Sequence, residues 1–230
     1  MAKPRLERIG RGQHPLVTID DFLGRTADLV AIAKSIGPYP KANKTFYPGV
    51  RRMISEGDGA AARYVEWAMQ TAAPYIWGAF DVRNFSLTAA SFSIVSTQPS
   101  DLLPVQRGAH FDSPDPDNIA LLHYLSVPPG TGTGFFRHRA TGIERIDEQN
   151  LARYVAHAQA EAMRLTPDSG YIQGSDERFE MYHSVEAVPD RIIFYQGSLL
   201  HSGLIPPGMP LDSDPSAGRL TANFFVHLDR

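Results

Sequence analysis

Apolar residues recur at helical spacing along the first third of the chain and in short alternating runs along the rest. Between Ile19 and Ile36, the residues Phe22, Leu23, Leu29, Val30 and Ala33 share one face of a 3.6-residue period. This predicts an amphipathic helix, with Asp20 as its N-cap and Gly37-Pro38 as its stop. The stretch Tyr39 to Gly59 carries Pro40, Pro48 and three glycines and reads as a long ordered loop. Ala60 to Ile76 predicts a second, alanine-rich helix with Tyr64, Trp67 and Ala68 on one face. Ahead of both helices lies a short arm containing Arg5, Arg8 and Arg11.

From Phe85 onward the texture changes. Asn84 to Val95, Ile119 to Val127, Gly134 to His138, Arg191 to Tyr195 and Leu220 to His227 are short β-type runs divided by glycine and proline turns. The pattern predicts a mostly β, antiparallel sandwich or barrel, braced by the two helices. Ile146 to Leu165 interrupts it with a polar, alanine-containing helix, read as an insertion on the outside. The expected organisation is one domain over 1–230, with 1–83 as helical and loop support and 84–228 as the β core.

Composition narrows the chemistry. The 230 residues are 43% hydrophobic and 10% aromatic, enough for a substantial core. A net charge of -3 supplies no long-range basic field, so nucleic acid is not the expected partner. Without cysteine the chain has no thiolate metal site, and any metal must be held by His and carboxylate. The N-terminus lacks the apolar core of a secretory signal, and no run is long enough to cross a bilayer, so a cytoplasmic location is expected.

The candidate chemistry lies in His110-Phe-Asp112, His201 and Arg219. A single His-x-Asp is weak evidence, because 8 histidines in 230 residues should give about one match by chance. A second match, His227-Leu-Asp229, has no room behind it for a third ligand. The first has His201 downstream, completing the two imidazoles and one carboxylate that hold Fe(II) on one face and leave the other open. Residues i and i+2 of a strand share a face, so His110 and Asp112 can project together while Phe111 points away. Arg219 offers a forked guanidinium for a carboxylate, and Thr221 shares its face.

In this order the residues resemble the 2-oxoglutarate- and Fe(II)-dependent oxygenase superfamily, whose core is a double-stranded β-helix of the jelly-roll, cupin-like kind. The resemblance implies Fe(II) held by His110, Asp112 and His201. It also implies 2-oxoglutarate gripped through its distal carboxylate by Arg219 and Thr221, with O2 as the other co-substrate. Tyr124-Leu-Ser followed by Pro-Pro-Gly-Thr-Gly-Thr-Gly is similar to the prolyl-hydroxylase branch, and by that likeness the Tyr124 hydroxyl contacts the same carboxylate. Here Ser126 stands where that branch commonly has Asn, and the turn replaces its double glycine. Tyr47-Pro-Gly-Val-Arg51, with the His-Ser-Gly at His201, also resembles a bacterial group of such oxygenases, without supplying a substrate. The implied reaction couples oxidative decarboxylation of 2-oxoglutarate to hydroxylation of a small-molecule or amino-acid or peptide-type substrate. Related halogenases lack the carboxylate that Asp112 provides.

Plainer readings stand beside these. His14, His123, His138, His157 and His183 are read as structural or solvated, with His123 facing away from the inward Tyr124. Gly130 to Gly134 reads as a hairpin turn, since no Lys-Ser/Thr follows to make a phosphate loop. Arg137 and Arg139 read as solvated strand ends, with the cavity mouth as the alternative, and Tyr47 to Arg52 as either a substrate lid or a packed connector. Two other functions remain open at this point: a cupin-like metalloenzyme without an oxoacid, and a jelly-roll binding protein with a vestigial site. The oligomeric state is not legible.

Overall fold

In the computed structural model, residues 4–40, 47–166 and 169–230 are described, so 41–46 of the expected Tyr39 to Gly59 loop lie outside them. The strand runs read from the sequence fall where expected. They are β4 (Asn84–Val95), β5 (Asn118–Ser126), β6 (Gly132–His138), β8 (Ile192–Gln196) and β10 (Arg219–Asp229). Five further strands escaped the pattern: β1 (Arg5–Ile9), β2 (His14–Ile19), β3 (Gly49–Met53), β7 (Phe179–Glu186) and β9 (His201–Leu204).

Two antiparallel sheets form the core. Seven strands run in the order β1-β2-β8-β5-β10-β4-β3, and three in the order β7-β6-β9. Three of the seven come from the N-terminal third, which was expected to supply helices and loop. Both edges of the larger sheet, β1 and β3, carry charged residues that blunt further pairing: Arg5, Glu7 and Arg8 on one, Arg51 and Arg52 on the other.

Helices α1 (Thr26–Ser35) and α2 (Ala60–Phe80) cover the outer face of the larger sheet. Leu29, Ala33, Tyr64, Ala68, Ala72 and Ile76 pack there against Phe92, Ile94, Leu121 and Phe224. Burial of these side chains stabilises the layer by about 1.5 to 3 kcal/mol for each large one. The expected cap is corrected: α1 begins at Thr26, because Ile19 ends β2 opposite Ile192. Asp20 instead pairs with Arg191. Trp67, grouped with Tyr64 and Ala68 on one face, is 38% exposed where those two are buried.

The third helix, α3 (Leu151–Ala162), lies on the outer side of the smaller sheet, where Tyr154 packs with Phe136, Ile146, Phe179 and Leu200. The glycine run is not a hairpin turn, because β5 and β6 belong to different sheets and the run carries the chain between them. Gly132 is required by close approach: a Cβ there would sit 2.5 Å from the Val185 carbonyl oxygen. Arg137 is neither a solvated end nor a lining of the mouth. It is buried, with Nη2 on Glu144 and Nη1 2.7 Å from Glu180.

Candidate metal centre and oxoacid pocket

His110 enters the site on an isolated bridge to His201, the first residue of β9. Their backbones exchange two hydrogen bonds, His110 N–H to the His201 carbonyl at 2.9 Å and the reverse at 2.8 Å. Two residues on, Asp112 N–H donates to the Gly197 carbonyl at 2.7 Å, tying the carboxylate to the β8–β9 turn. Phe111, between them, packs edge-on against Tyr154 at 6.1 Å. The alternation argued from a strand is therefore kept by one bridge and one further hydrogen bond, not by a regular strand.

The three side chains converge. Each offers one ligand atom, and these atoms lie within 4.8 Å of one another. Asp112 Oδ2 is 3.5 Å from His201 Nε2, and Oδ1 is 4.0 Å from His110 Nε2. His201 Nδ1 is 2.8 Å from the Leu199 carbonyl. That carbonyl can only accept, so it fixes the tautomer and turns the lone pair of Nε2 toward the other two ligands. The His110 side chain keeps 44% of its exposure and that of His201 only 6%, so the centre opens on the His110 side.

With no cation present, the shifts at His110 and Asp112 both run toward the uncharged form. Burial, then the charges of His201 and Arg51, hold the His110 imidazole well below its ordinary value. Burial pushes the Asp112 carboxyl up, against the pull of His201 and Arg51. A divalent ion would reverse the second shift and use the first, since it needs an unprotonated imidazole and an ionised carboxylate.

The triad opens into a cavity of about 410 Å³, which Arg219, Thr221, Thr133, Asn223, Tyr47 and Arg51 also line. Arg219 stands at the start of β10 and is 3% exposed. Its Nη2 reaches the Gly132 carbonyl at 3.3 Å, its Nε has no hydrogen-bond partner, and among the described residues it has no carboxylate partner. Thr221 is held by only long contacts, 3.5 Å to the Ser93 carbonyl and 3.4 Å to Asn223 Oδ1. Tyr124 lies one step behind: its hydroxyl is 2.7 Å from Thr133 Oγ1, and the Arg219 guanidinium carbon sits 5.7 Å from its ring centroid.

Other histidines fall outside this centre. His123 faces the helix layer, as expected from its alternation with Tyr124, and is bonded to Tyr64 and Asp190 at 2.8 and 3.0 Å. His138 meets Thr141 and Glu161. Tyr47 and Arg51, left undecided between lid and connector, prove to line the cavity. The β3 pairing of Arg51 with β4, which the proline and glycine signals concealed, brings Arg51 there, and Tyr47 lies two residues ahead of that strand.

No curated protein matches the sequence. Among solved structures, the chain is similar to the non-heme alpha-ketoglutarate-dependent epimerase SnoN from nogalamycin biosynthesis, at 14% identity and a TM-score of 0.56 over 96% of this chain and 79% of that one. Iron-bound HygX from Streptomyces hygroscopicus is similar at 11% identity and a TM-score of 0.52, over 94% and 83%. A prolyl-4-hydroxylase from Pseudomonas putida matches at 15% identity and a TM-score of 0.46, over 95% and 94%. The first two likenesses establish the fold as a double-stranded β-helix. A family model matches residues 1–226, nearly the whole chain, and by that match the chain belongs to the family of unknown function DUF6445.

Proposed function

We propose that this protein is an Fe(II)- and 2-oxoglutarate-dependent oxygenase, and specifically a hydroxylase, acting on a small-molecule or peptide-type substrate. The observation that carries the reading is the buried Arg219 guanidinium, with an unpartnered Nε and no ion-pair partner among the described residues, in the same cavity as three convergent metal-ligand atoms. An uncompensated buried cation costs several kcal/mol, and an anionic ligand removes that cost.

In this reading His110 Nε2, Asp112 and His201 Nε2 hold Fe(II), which when bound supplies the redox chemistry that couples 2-oxoglutarate decarboxylation to substrate oxidation. Arg219 holds the distal carboxylate of 2-oxoglutarate through its fork, and Thr221 adds a hydroxyl donor. Tyr124 bears on the same carboxylate through Thr133, whose Oγ1 it engages, in place of the direct contact expected from sequence. The Leu199 carbonyl keeps His201 in the ligating tautomer. Tyr195, edge-on to the His201 ring at 4.8 Å, limits its rotation.

The test is succinate formation from 2-oxoglutarate by the Fe(II)-loaded protein, with and without candidate substrates. The wild type should form succinate even when uncoupled. Arg219→Lys, which keeps the charge and loses the fork, should raise the 2-oxoglutarate concentration required. Absence of succinate from the metal-loaded wild type would favour the oxoacid-independent reading, and succinate formation indifferent to that substitution would remove Arg219 from the co-substrate's binding.

A further inference from the structure

Arg51 and Arg52 are neighbours on β3 whose side chains take opposite faces of the sheet. Arg52 is satisfied: its Nη2 is 2.7 Å from Asp58, and its Nε donates to the Ile36 carbonyl. Arg51 turns into the cavity. Its Nε donates to Ser93 Oγ at 3.0 Å, its guanidinium stacks over the Tyr47 ring at 4.5 Å, and among the described residues it has no carboxylate partner. The Tyr47 hydroxyl is buried and unpartnered in the same cavity.

This second cation comes from a different strand than Arg219 and shares its cavity. Arg51 aligns with Ser93 on β4, and Ser93 with Thr221 on β10, so Arg51 stands two strands from Thr221, roughly 10 Å. It is near enough to the triad for its charge to bear on both His110 and Asp112. Asp112 is the one acid lining the cavity, against two arginines. With a divalent ion and a 2-oxoglutarate dianion in place, a single positive charge stays uncompensated, and it belongs to Arg51. The lining of the same cavity also includes the apolar side chains of Val105 and Ile205 and the ring of Tyr171.

From this arrangement we infer that the cavity holds a second anion subsite, in which the Arg51 fork and the Tyr47 hydroxyl bind a carboxylate of the prime substrate, whose apolar body lies against Val105 and Tyr171. The inference rests on the proposed oxygenase reading of the same cavity and names its substrate class: a monocarboxylic acid with an apolar skeleton.

The experiment uses the full chain loaded with Zn(II), which blocks turnover, and saturating 2-oxoglutarate. Benzoate and its neutral counterpart benzamide are then titrated and followed by calorimetry. The wild type should bind benzoate and not benzamide. Arg51→Gln should weaken benzoate binding by about tenfold to a hundredfold, Tyr47→Phe by less, and Arg51→Lys by an intermediate amount. The 2-oxoglutarate affinity of all three variants should stay within about threefold of wild type, a range well below the loss of one charge-assisted bond.

Equal binding of both probes, binding of neither, or benzoate affinity retained in Arg51→Gln would overturn the subsite. Loss of 2-oxoglutarate affinity in Arg51→Gln would assign the arginine to the co-substrate, overturning this inference while leaving the oxygenase reading intact. Failure of the wild type to bind metal and 2-oxoglutarate, read before benzoate is added, would instead defeat the oxygenase reading.

Discussion

The chain contains the same three-residue motif twice, and the two copies have different surroundings. His110 and Asp112 are drawn to His201 by a backbone bridge and enclosed with it around a common point. His227 and Asp229 lie at the far end of β10, with side chains 45% and 54% exposed. His227 Nε2 faces Asp115 at 3.3 Å, yet among the described residues no three-ligand group forms there. A third pairing, His123 with Asp190, is buried and uses both imidazole nitrogens on protein groups, leaving no lone pair for a metal. What makes a ligand set is thus neither the spacing nor burial. It is a free nitrogen on each ring, held by the backbone toward a shared point beside an accessible space.

The largest effect should come from removing the third ligand. His201→Ala should lower Fe(II) affinity by at least about a hundredfold, whereas His227→Ala should leave it unchanged, with metal binding read by anaerobic calorimetry. Next, Arg219→Ala should raise the dissociation constant for 2-oxoglutarate by about tenfold to a hundredfold and leave Fe(II) binding alone. A smaller effect is expected at Gly197, where a Cβ would lie 2.6 Å from Asn118 Oδ1 and 3.3 Å from the Asp112 Cβ. Gly197→Ala should displace the carboxylate and cost about tenfold in metal affinity, a test of whether the backbone sets the ligand geometry.

The smallest effect concerns the third pairing and appears in stability, not in metal binding. Burial lowers the His123 value, against the opposing pull of Asp190. The unfolded chain therefore takes up this proton first, and stability falls as pH drops below about 6.5, down to the folded value. Asp190 is held low by His123 and the Leu23 and Gly24 amides, which outweigh its own burial. Its contribution is present above about pH 3.9 and is lost as pH falls through the lower folded value. Denaturant titrations between about pH 7.5 and pH 5 should show a decline to which His110 and His14 also contribute, and His123→Gln should make it shallower without abolishing it.

The legible parts of the sequence were those whose signal is local. β4 and β10 are long runs of alternating or apolar residues paired over their whole length, and both were readable from periodicity. The metal ligands and Arg219 were readable because ligand chemistry limits the residue types and the order along the chain was right. The missed strands lie where the partner supplies the reason to be extended. β1, RLERI, has four exposed residues and one buried, and β7 carries charges at both ends, so neither shows a core-facing stripe. β3 begins at Gly49, directly after Pro48, and the two read as loop punctuation, although that glycine is needed because a Cβ would lie 2.0 Å from the Ile94 carbonyl oxygen. For the same reason Tyr47 and Arg51 could be noticed as a motif without being placed in the cavity. The place of Arg51 depends on a register with β4 that only long-range pairing sets, and Tyr47 reaches the cavity from the residues just ahead of that strand.

The most direct test of the central claim is an anaerobic optical titration of the protein with Fe(II) and 2-oxoglutarate, read at the visible charge-transfer band of a chelated oxoacid. The account predicts a band that saturates at one iron and one 2-oxoglutarate per chain, persists in His227→Ala and is absent from His201→Ala. A band of undiminished strength in His201→Ala, or none in the wild type, would contradict it.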